Sequence, residues 1–551
     1  MAAQYDAIVI GAGHNGLVAA GYLARARRNV LVLERRERVG GPCGVIEYFP
    51  GYTAAITNSP GSLEPKIIAD MELEHYGLKF HHPDPSMVMP FPDGRAFVAW
   101  RERSRVVDEL KKFSHRDAER YYEIFDYVEA FARRLGISLF APPPTLAEVA
   151  ARLKTPEDEE AFSKLFFGSI RDFLDDYLES DALKAVIAMV SILSNRVGPW
   201  TPGSACLLLH RPLSLASSEE LAMNDPRRQV LRGSTGLPMG GMGAIVEAMR
   251  SSIEANGATV RTNAPVAEIL VRNGKARGVV LESGEEILAP IVISNLAPKY
   301  TLLQFLPADS LESDFRTKVE QLKVEGNAFK VGLALDGVPR FAAATSESEV
   351  QKFAECQFRI SPSLKYLEDA YDDMKFGRPS RGPIIWGLTP SVADPSLAPE
   401  GKNIMTLSVF HAPYRLAEGD WKTERDRYGQ RIIDTLAEYI PNLKDILVDA
   451  KFWSPCDIED EFGTYEGNIT HGDILPQNYF SLRPVPGWSD YRTPVRGVYL
   501  CSVGTWPGGN VSGIPGHNAA HQVLRDLATG IDRLDFSGRP GIVGQKKSHL
   551  A

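Results

Sequence analysis

No two cysteines stand close together in this 551-residue chain: Cys43, Cys206, Cys356, Cys456 and Cys501 are scattered and odd in number. That spacing excludes a disulfide framework, a redox-active vicinal pair and a cysteine zinc site, and it fits a reducing, cytosolic compartment. No metal site is expected. Basic charge is in deficit as well, with 61 Lys and Arg against 70 Asp and Glu for a net charge of -9. A nucleic-acid backbone would be repelled rather than collected. Long apolar runs are also missing. The greasiest stretch, residues 185–193, is about half of the roughly 20 residues that a membrane-spanning helix needs, so a core helix is expected there. The first strand starts at Tyr5 or Asp6, which leaves no room for a signal peptide, and secretion is not expected. Peripheral membrane contact through an apolar mouth and assembly into an oligomer both stay open.

What is present is an ordinary globular composition, 44% apolar and 24% charged, in a chain long enough for two domains. Residues 6–10 form a short β-branched run, residues 17–26 carry helix formers, and residues 29–33 are a second apolar run, a βαβ pattern. Gly11-Ala12-Gly13-His14-Asn15-Gly16 fills the turn between the first strand and the helix, the position of a dinucleotide fingerprint. Gly11 permits the tight turn, Gly13 lets a pyrophosphate approach the backbone, and Gly16 lets helix and strand pack closely. Glu34 follows at the end of the second strand, 23 residues after Gly11, where a carboxylate accepts hydrogen bonds from ribose hydroxyls.

The middle of the chain reads as helical. Ser114 with Asp117 resembles a capping box, Pro142, Pro143 and Pro144 force an extended break, and a second helical pattern covers residues 146–153. Strands return in residues 260–294, with hairpin turns at Asn273-Gly274 and Ser283-Gly284. Further strand-like runs at 328–335 and 404–410 flank a helical pattern at 425–439. A last buried strand at 497–501 leads through Gly504, Gly508, Gly509, Gly513, Pro515 and Gly516 into a helix expected over 518–527.

Two stretches decide between cofactors. Glu34-Arg35-Arg36-Glu37-Arg38-Val39-Gly40-Gly41 resembles the E-x-x-x-R-x-G-G continuation of glutathione-reductase-type and amine-oxidase-type FAD folds. Together with Gly240-Gly241-Met242-Gly243, Ile293-Ser294-Asn295, His471-Gly472-Asp473 and Pro507-Gly508-Gly509 through Gly516-His517-Asn518-Ala519-Ala520, the chain resembles the phytoene-desaturase-like flavoproteins over most of its length. Within them it is similar to the pyridine nucleotide-disulfide oxidoreductase domain-containing protein 2 subgroup. Despite that subgroup's name, a thiol mechanism has no vicinal cysteines to run on. Gly41-Pro42-Cys43-Gly44 departs from the small-residue run expected there, and Cys43 reads as a packed thiol beside the flavin rather than a reactive one.

The resemblance implies an α/β fold: a glutathione-reductase-like, Rossmann-type FAD-binding domain interleaved with a mixed α+β substrate domain. The former is expected from residues 1–95, 235–300 and 490–551, and the latter, with a helical part, from 96–234 and 301–489. The expected cofactor contacts are Gly11, Gly13, His14, Asn15, Gly16, Glu34, Arg35, Gly40 and Gly41. To these the resemblance adds Val266 near the adenosine, Gly504 near the flavin, and the helix start of Pro515, Gly516, His517 and Asn518 at the pyrimidine edge. Positive dipole at a helix N-terminus suits the negative charge of reduced flavin.

The chemistry implied is dehydrogenation or desaturation of a C-C bond in a hydrophobic, isoprenoid-like or aromatic small molecule by hydride transfer to flavin N5. His471 is the first acid-base candidate, with a turn cap or a flavin contact as its alternatives, and His210 and Asp473 follow it. Two other readings stand beside this one. One is an FAD-dependent oxidase of C-N or C-OH bonds that uses dioxygen; the other is a non-enzymatic scaffold, because Rab GDP-dissociation inhibitors resemble this fold and bind prenylated proteins.

Overall fold

The computed structural model describes residues 4–57, 62–217 and 236–543. The boundary expected between residues 234 and 235 lies outside the described residues. The two short apolar runs of the N-terminus become strands Ala7–Ile10 and Val30–Leu33, each buried along its whole length. Residues apolar at every position suit a parallel sheet covered on both faces. That sheet has five strands in the order Val498–Leu500, Ile291–Ser294, Ala7–Ile10, Val30–Leu33, Thr259–Arg261, all parallel. Its helix His14–Arg25 packs between the C-terminal helix Ile514–Thr529 and helix Met242–Ala255.

An antiparallel meander of Val266–Arg272, Lys275–Leu281 and Glu286–Leu288 lies beside this sheet. Its first turn is the expected Asn273-Gly274, with φ of 53° and 67°, the left-handed pair that a two-residue hairpin loop requires.

A second sheet has seven strands in the order Leu447–Trp453, Ala328–Leu335, Asn403–Phe410, Ile384–Leu388, Gln357–Ile360, Met87–Pro90, Ala96–Ala99. It takes strands from both sides of the boundary expected at residue 95. Helices gather at its far side, among them His115–Leu135 and the largely apolar Asp181–Ile192, which is a buried core helix as its composition predicts. Among the described residues, no helix is long and apolar enough to cross a membrane, and no group of side chains is placed to hold a metal ion. All five cysteines are free.

Three local expectations change. Ser114 does cap its helix, accepting from the Asp117 amide at 3.1 Å, but the Asp117 carboxylate accepts from the Glu179 and Ser180 amides instead of closing a capping box. The helix expected over residues 146–153 is confined to Leu146–Ala150, where the full box is formed by Thr145 and Glu148. The C-terminal helix begins at Ile514 rather than at residue 518, because a proline in the first turn gives up only an amide that has no intrahelical partner.

Candidate functional site

A cavity of about 430 Å³ opens at the C-terminal ends of the parallel strands and runs to the face of the seven-stranded sheet. Ligands of open α/β sheets occupy that crevice. Gly11, Gly13, His14, Asn15 and Glu34 line it from the first βα unit, joined by Arg35, Gly40, Gly41 and Val266. The residues expected at the adenosine and pyrophosphate end are thus brought together.

Local geometry explains how. Gly11 has φ of 92°, a left-handed conformation that turns the chain from strand to helix and is costly for other residues. A Cβ at Gly16 would lie 2.2 Å from the Gly11 carbonyl oxygen, so Gly16 is needed for packing and does not border the cavity. Gly41, at φ 54°, points its missing side chain into open space. The Glu34 carboxylate is held by two backbone amides, Ala12 at 2.9 Å and Arg36 at 3.0 Å, and its remaining lone pairs face the cavity. Beside it His14 Nε2 and Asn15 Nδ2 are buried with no hydrogen-bond partner. Buried polar atoms are rarely left unpaired. Unsatisfied groups on a glycine turn, next to an oriented carboxylate, fit the FAD that the sequence predicts.

The C-terminal residues named by resemblance stand back from the cavity wall. Gly504, Pro515, Gly516, His517 and Asn518 do not border the cavity; the residues that do are Val503 and Gly509 through Val511. Gly516 is where the last helix meets the first, with its Cβ position 2.2 Å from the Asn15 carbonyl oxygen. His517 sits edge-on to Tyr22 and Phe140. Asn518 donates to the Leu139 carbonyl and to the Tyr491 hydroxyl, both at 2.8 Å. The helix N-terminus packs against the first helix, and the loop before it reaches the cavity.

His471 does line the cavity, but burial and the neighbouring Arg483 push its pKa down to about 3 and hold the ring neutral. So weak a base accepts a proton poorly near neutral pH. Its loop is pinned by Arg483, a fully buried guanidinium that donates to the carbonyls of Thr470, Gly472, Asp473, Val503 and Thr505. Asp473 is off the cavity, and burial raises its carboxyl to about 6. His210 lines the cavity and shares a hydrogen bond of 3.2 Å with the Tyr479 hydroxyl.

The group that sequence reasoning missed is Lys330. It stands on the opposite wall, 2% exposed, in the strand Ala328–Leu335, with its amine donating to Ser408 Oγ at 2.5 Å. Burial lowers its pKa to about 7, because a charged ammonium is disfavoured away from water. One charged residue inside an otherwise apolar strand was the available signal.

Cys43 lies on the cavity wall as expected, with its thiol pushed up to about 12 by burial. A thiol so rarely ionised is a poor nucleophile. Folded protein treated with iodoacetamide at neutral pH is expected to leave Cys43 unlabelled by peptide mass spectrometry while urea-unfolded protein is modified. Labelling of the folded protein at the rate of a free thiol would contradict this assignment.

Comparison with known proteins gives the wider context. The family described as "Flavin containing amine oxidoreductase" matches residues 16–446. The rat pyridine nucleotide-disulfide oxidoreductase domain-containing protein 2 is 33% identical, over 95% of this chain and 94% of its own. A limonene dehydrogenase polypeptide of Castellaniella defragrans is 26% identical, with 96% of each chain covered. An oxidoreductase of Methanosarcina mazei shares the fold with a TM-score of 0.60 at 16% identity, over 94% of this chain and 99% of that one.

Proposed function

Because the chain belongs to the family of flavin-containing amine oxidoreductases, for which FAD is the cofactor, we propose that it dehydrogenates a C-C bond of a hydrophobic small molecule. One observation carries the choice. Among the described residues, the only carboxylates on the cavity wall are Glu34 and Glu282, and both belong to the end formed by the parallel sheet and the meander. The opposite wall offers Phe410, Trp386, Leu193 and Ile474 and, among the described residues, no acid to hold a substrate ammonium. An amine would be desolvated there without compensation, so this wall favours an uncharged carbon skeleton over the C-N substrate of an oxidase. The name of the bacterial relative, a dehydrogenase of limonene, points the same way.

In this reading Gly11, Gly13, His14, Asn15, Glu34, Arg35, Gly40, Gly41 and Val266 hold the dinucleotide, with Glu34 on the ribose. Bound FAD supplies the two-electron oxidation by accepting a hydride from the substrate carbon. Lys330, neutral in part of the population near pH 7, takes the proton released from the adjacent carbon and becomes an ammonium. Trp386 and Phe410 orient the skeleton and exclude water. His471 stays neutral and serves as wall. The segments 1–95, 235–300 and 490–551 are proposed as the cofactor domain, apart from the strand Met87–Pro90, which belongs to the seven-stranded sheet, and the remainder as the substrate domain.

The test is anaerobic mixing of the yellow holoenzyme with isoprenoid, aromatic and amine panels while the flavin absorbance is followed. Bleaching by unsaturated or saturated hydrocarbon skeletons, without bleaching by amines, is the expected result. Bleaching by amines alone, with hydrogen peroxide released under air, would replace the proposal with the oxidase reading.

A further inference from the structure

Across the seven-stranded sheet, the cavity ends at a polar side chain that the protein leaves without a partner. Lys330 pairs with Ser408 and Ser408 with Trp386, directly opposite one another on neighbouring strands. Opposed residues share a face, and successive residues alternate between faces. Phe358 pairs with Gly387, the residue after Trp386, and so points to the other face. Gln357, one residue earlier, returns to the face of Lys330, Ser408 and Trp386, and all four border the cavity. Beyond Gln357 the strand Met87–Pro90 does not border it, and neither does Arg359, which is 2% exposed and stacked 4.0 Å over the ring of Trp386. Three strand spacings of about 4.8 Å set Gln357 roughly 14 Å across the sheet from Lys330.

Gln357 is 8% exposed, and its side-chain amide makes no hydrogen bond among the described residues. It differs from the orphaned groups behind it. Nε and Nη1 of Arg359 and the hydroxyl of Tyr121 are sealed off from any ligand, whereas the Gln357 amide keeps its remaining surface on the cavity. Much of the surrounding wall is apolar, with Leu193, Leu207, Trp386 and Phe410 among its residues. Water can meet an amide in an open cavity, but an apolar skeleton that fills the space drives the water out. The amide is then left unsatisfied unless the skeleton brings a polar atom of its own.

We propose that Gln357 is a substrate-recognition residue that receives a hydroxyl group at the end of the substrate remote from the bond oxidised. The inference rests on the dehydrogenase reading and narrows its substrate class from hydrocarbons at large to hydrophobic alcohols, with the hydroxyl roughly 14 Å from the carbons at Lys330. An amide presents an oxygen that accepts and an NH2 that donates, and a hydroxyl answers both at once. A ketone or an ether leaves the amide oxygen without a donor. A carboxylate sets its own charge against that oxygen.

Binding separates this claim from turnover. FAD-loaded protein is titrated in a calorimeter with straight-chain primary alcohols from hexanol to dodecanol and with their methyl ethers. Each ligand is compared between the wild type and Gln357→Leu, so that differences in partitioning cancel. Leucine is close to glutamine in size and offers neither donor nor acceptor. The longer alcohols are expected to bind on the order of ten-fold more weakly to the variant, the scale of a buried hydrogen-bonded contact, while the ethers bind as well as before or better. Gln357→Glu keeps an acceptor for the hydroxyl proton and should retain part of the alcohol binding. Equal loss of alcohol and ether in Gln357→Leu, or loss of neither, overturns the subsite, even where hydrocarbons still bleach the flavin. Bleaching by amines alone overturns the dehydrogenase reading, and the alcohol-ether comparison still decides the subsite. Should Gln357→Leu fail to fold, the wild type decides by position: a terminal dodecanol should bind several-fold more tightly than one with its hydroxyl in mid-chain, and equal binding overturns the proposal.

Discussion

Gly13→Leu is expected to give a folded but colourless protein. Gly13 sits at the N-cap with φ of -71° and ψ of 168°, extended backbone that any residue adopts, so the substitution imposes no backbone strain. A Cβ there would approach only the side-chain amide of Asn295, at 2.6 Å, and a side-chain end can swing aside. The rest of the leucine would fill the space over the loop where the pyrophosphate has to reach the amides. Overfilling a packed site costs about 1–3 kcal/mol, and losing the amide contacts adds to it. FAD affinity is therefore expected to fall by on the order of a hundred-fold or more, measured by fluorescence of released flavin on dilution. Circular dichroism and melting temperature should stay close to those of the wild-type apoprotein. A variant that still purifies yellow with stoichiometric FAD would remove Gly13 from the cofactor site.

Lys330→Met is expected to leave FAD bound and to slow flavin reduction by roughly a hundred- to a thousandfold, within the range for removal of a positioned proton acceptor. The neutral amine is the active form, so wild-type reduction should rise with pH through about 7 and level off above it. That inflection should vanish in the variant. Stability moves in step. The folded pKa lies below the ordinary lysine value of 10.5, so between about 7 and 10.5 the unfolded chain binds more protons and stability rises with pH. Below about 7 the full cost of a buried ammonium is present, and there Lys330→Met should melt no lower than the wild type. Stopped-flow reduction across about pH 6 to 9 reads the first effect and thermal melts read the second. A variant with unaltered reduction rate and pH profile would show that the amine takes no proton.

How far the sequence foretold this site depends on the range of the interactions involved. The phosphate loop was legible because Gly11, Gly13, Gly16 and Glu34 belong to one βαβ unit, where spacing along the chain dictates spacing in the fold. The meander was legible for the same reason, since Asn273-Gly274 marks its own turn. The seven-stranded sheet was not, beyond the strands over 328–335 and 404–410. Gln357–Ile360 pairs in parallel with Met87–Pro90 across some of the longest sequence separations in the molecule, and no local pattern announces such a partner. Lys330 is a charge in an apolar strand that the sequence reading passed over, and only the register with Ser408 and Trp386 reveals which wall it faces. The C-terminal helix was placed four residues late because Pro515 reads as a breaker, whereas at a first turn it is tolerated. Its one glycine, Gly516, lies where the last helix meets the first, a contact between distant segments that no local pattern announces.

The parallel sheet has a consequence for synthesis. Its edge strand Val498–Leu500 joins Ile291–Ser294, and the helix that clasps the phosphate loop is Ile514–Thr529. A ribosome delivers these parts hundreds of residues after the glycine turn. The glycine turn consequently waits, half covered, for a latch that is made much later in translation. Nascent chains with such exposed apolar edges are prone to aggregate, so chaperone supply and a late supply of FAD should govern the yield of active protein more than the rate of elongation does. Removing the final helix is then more damaging than its distance from the reacting carbon implies.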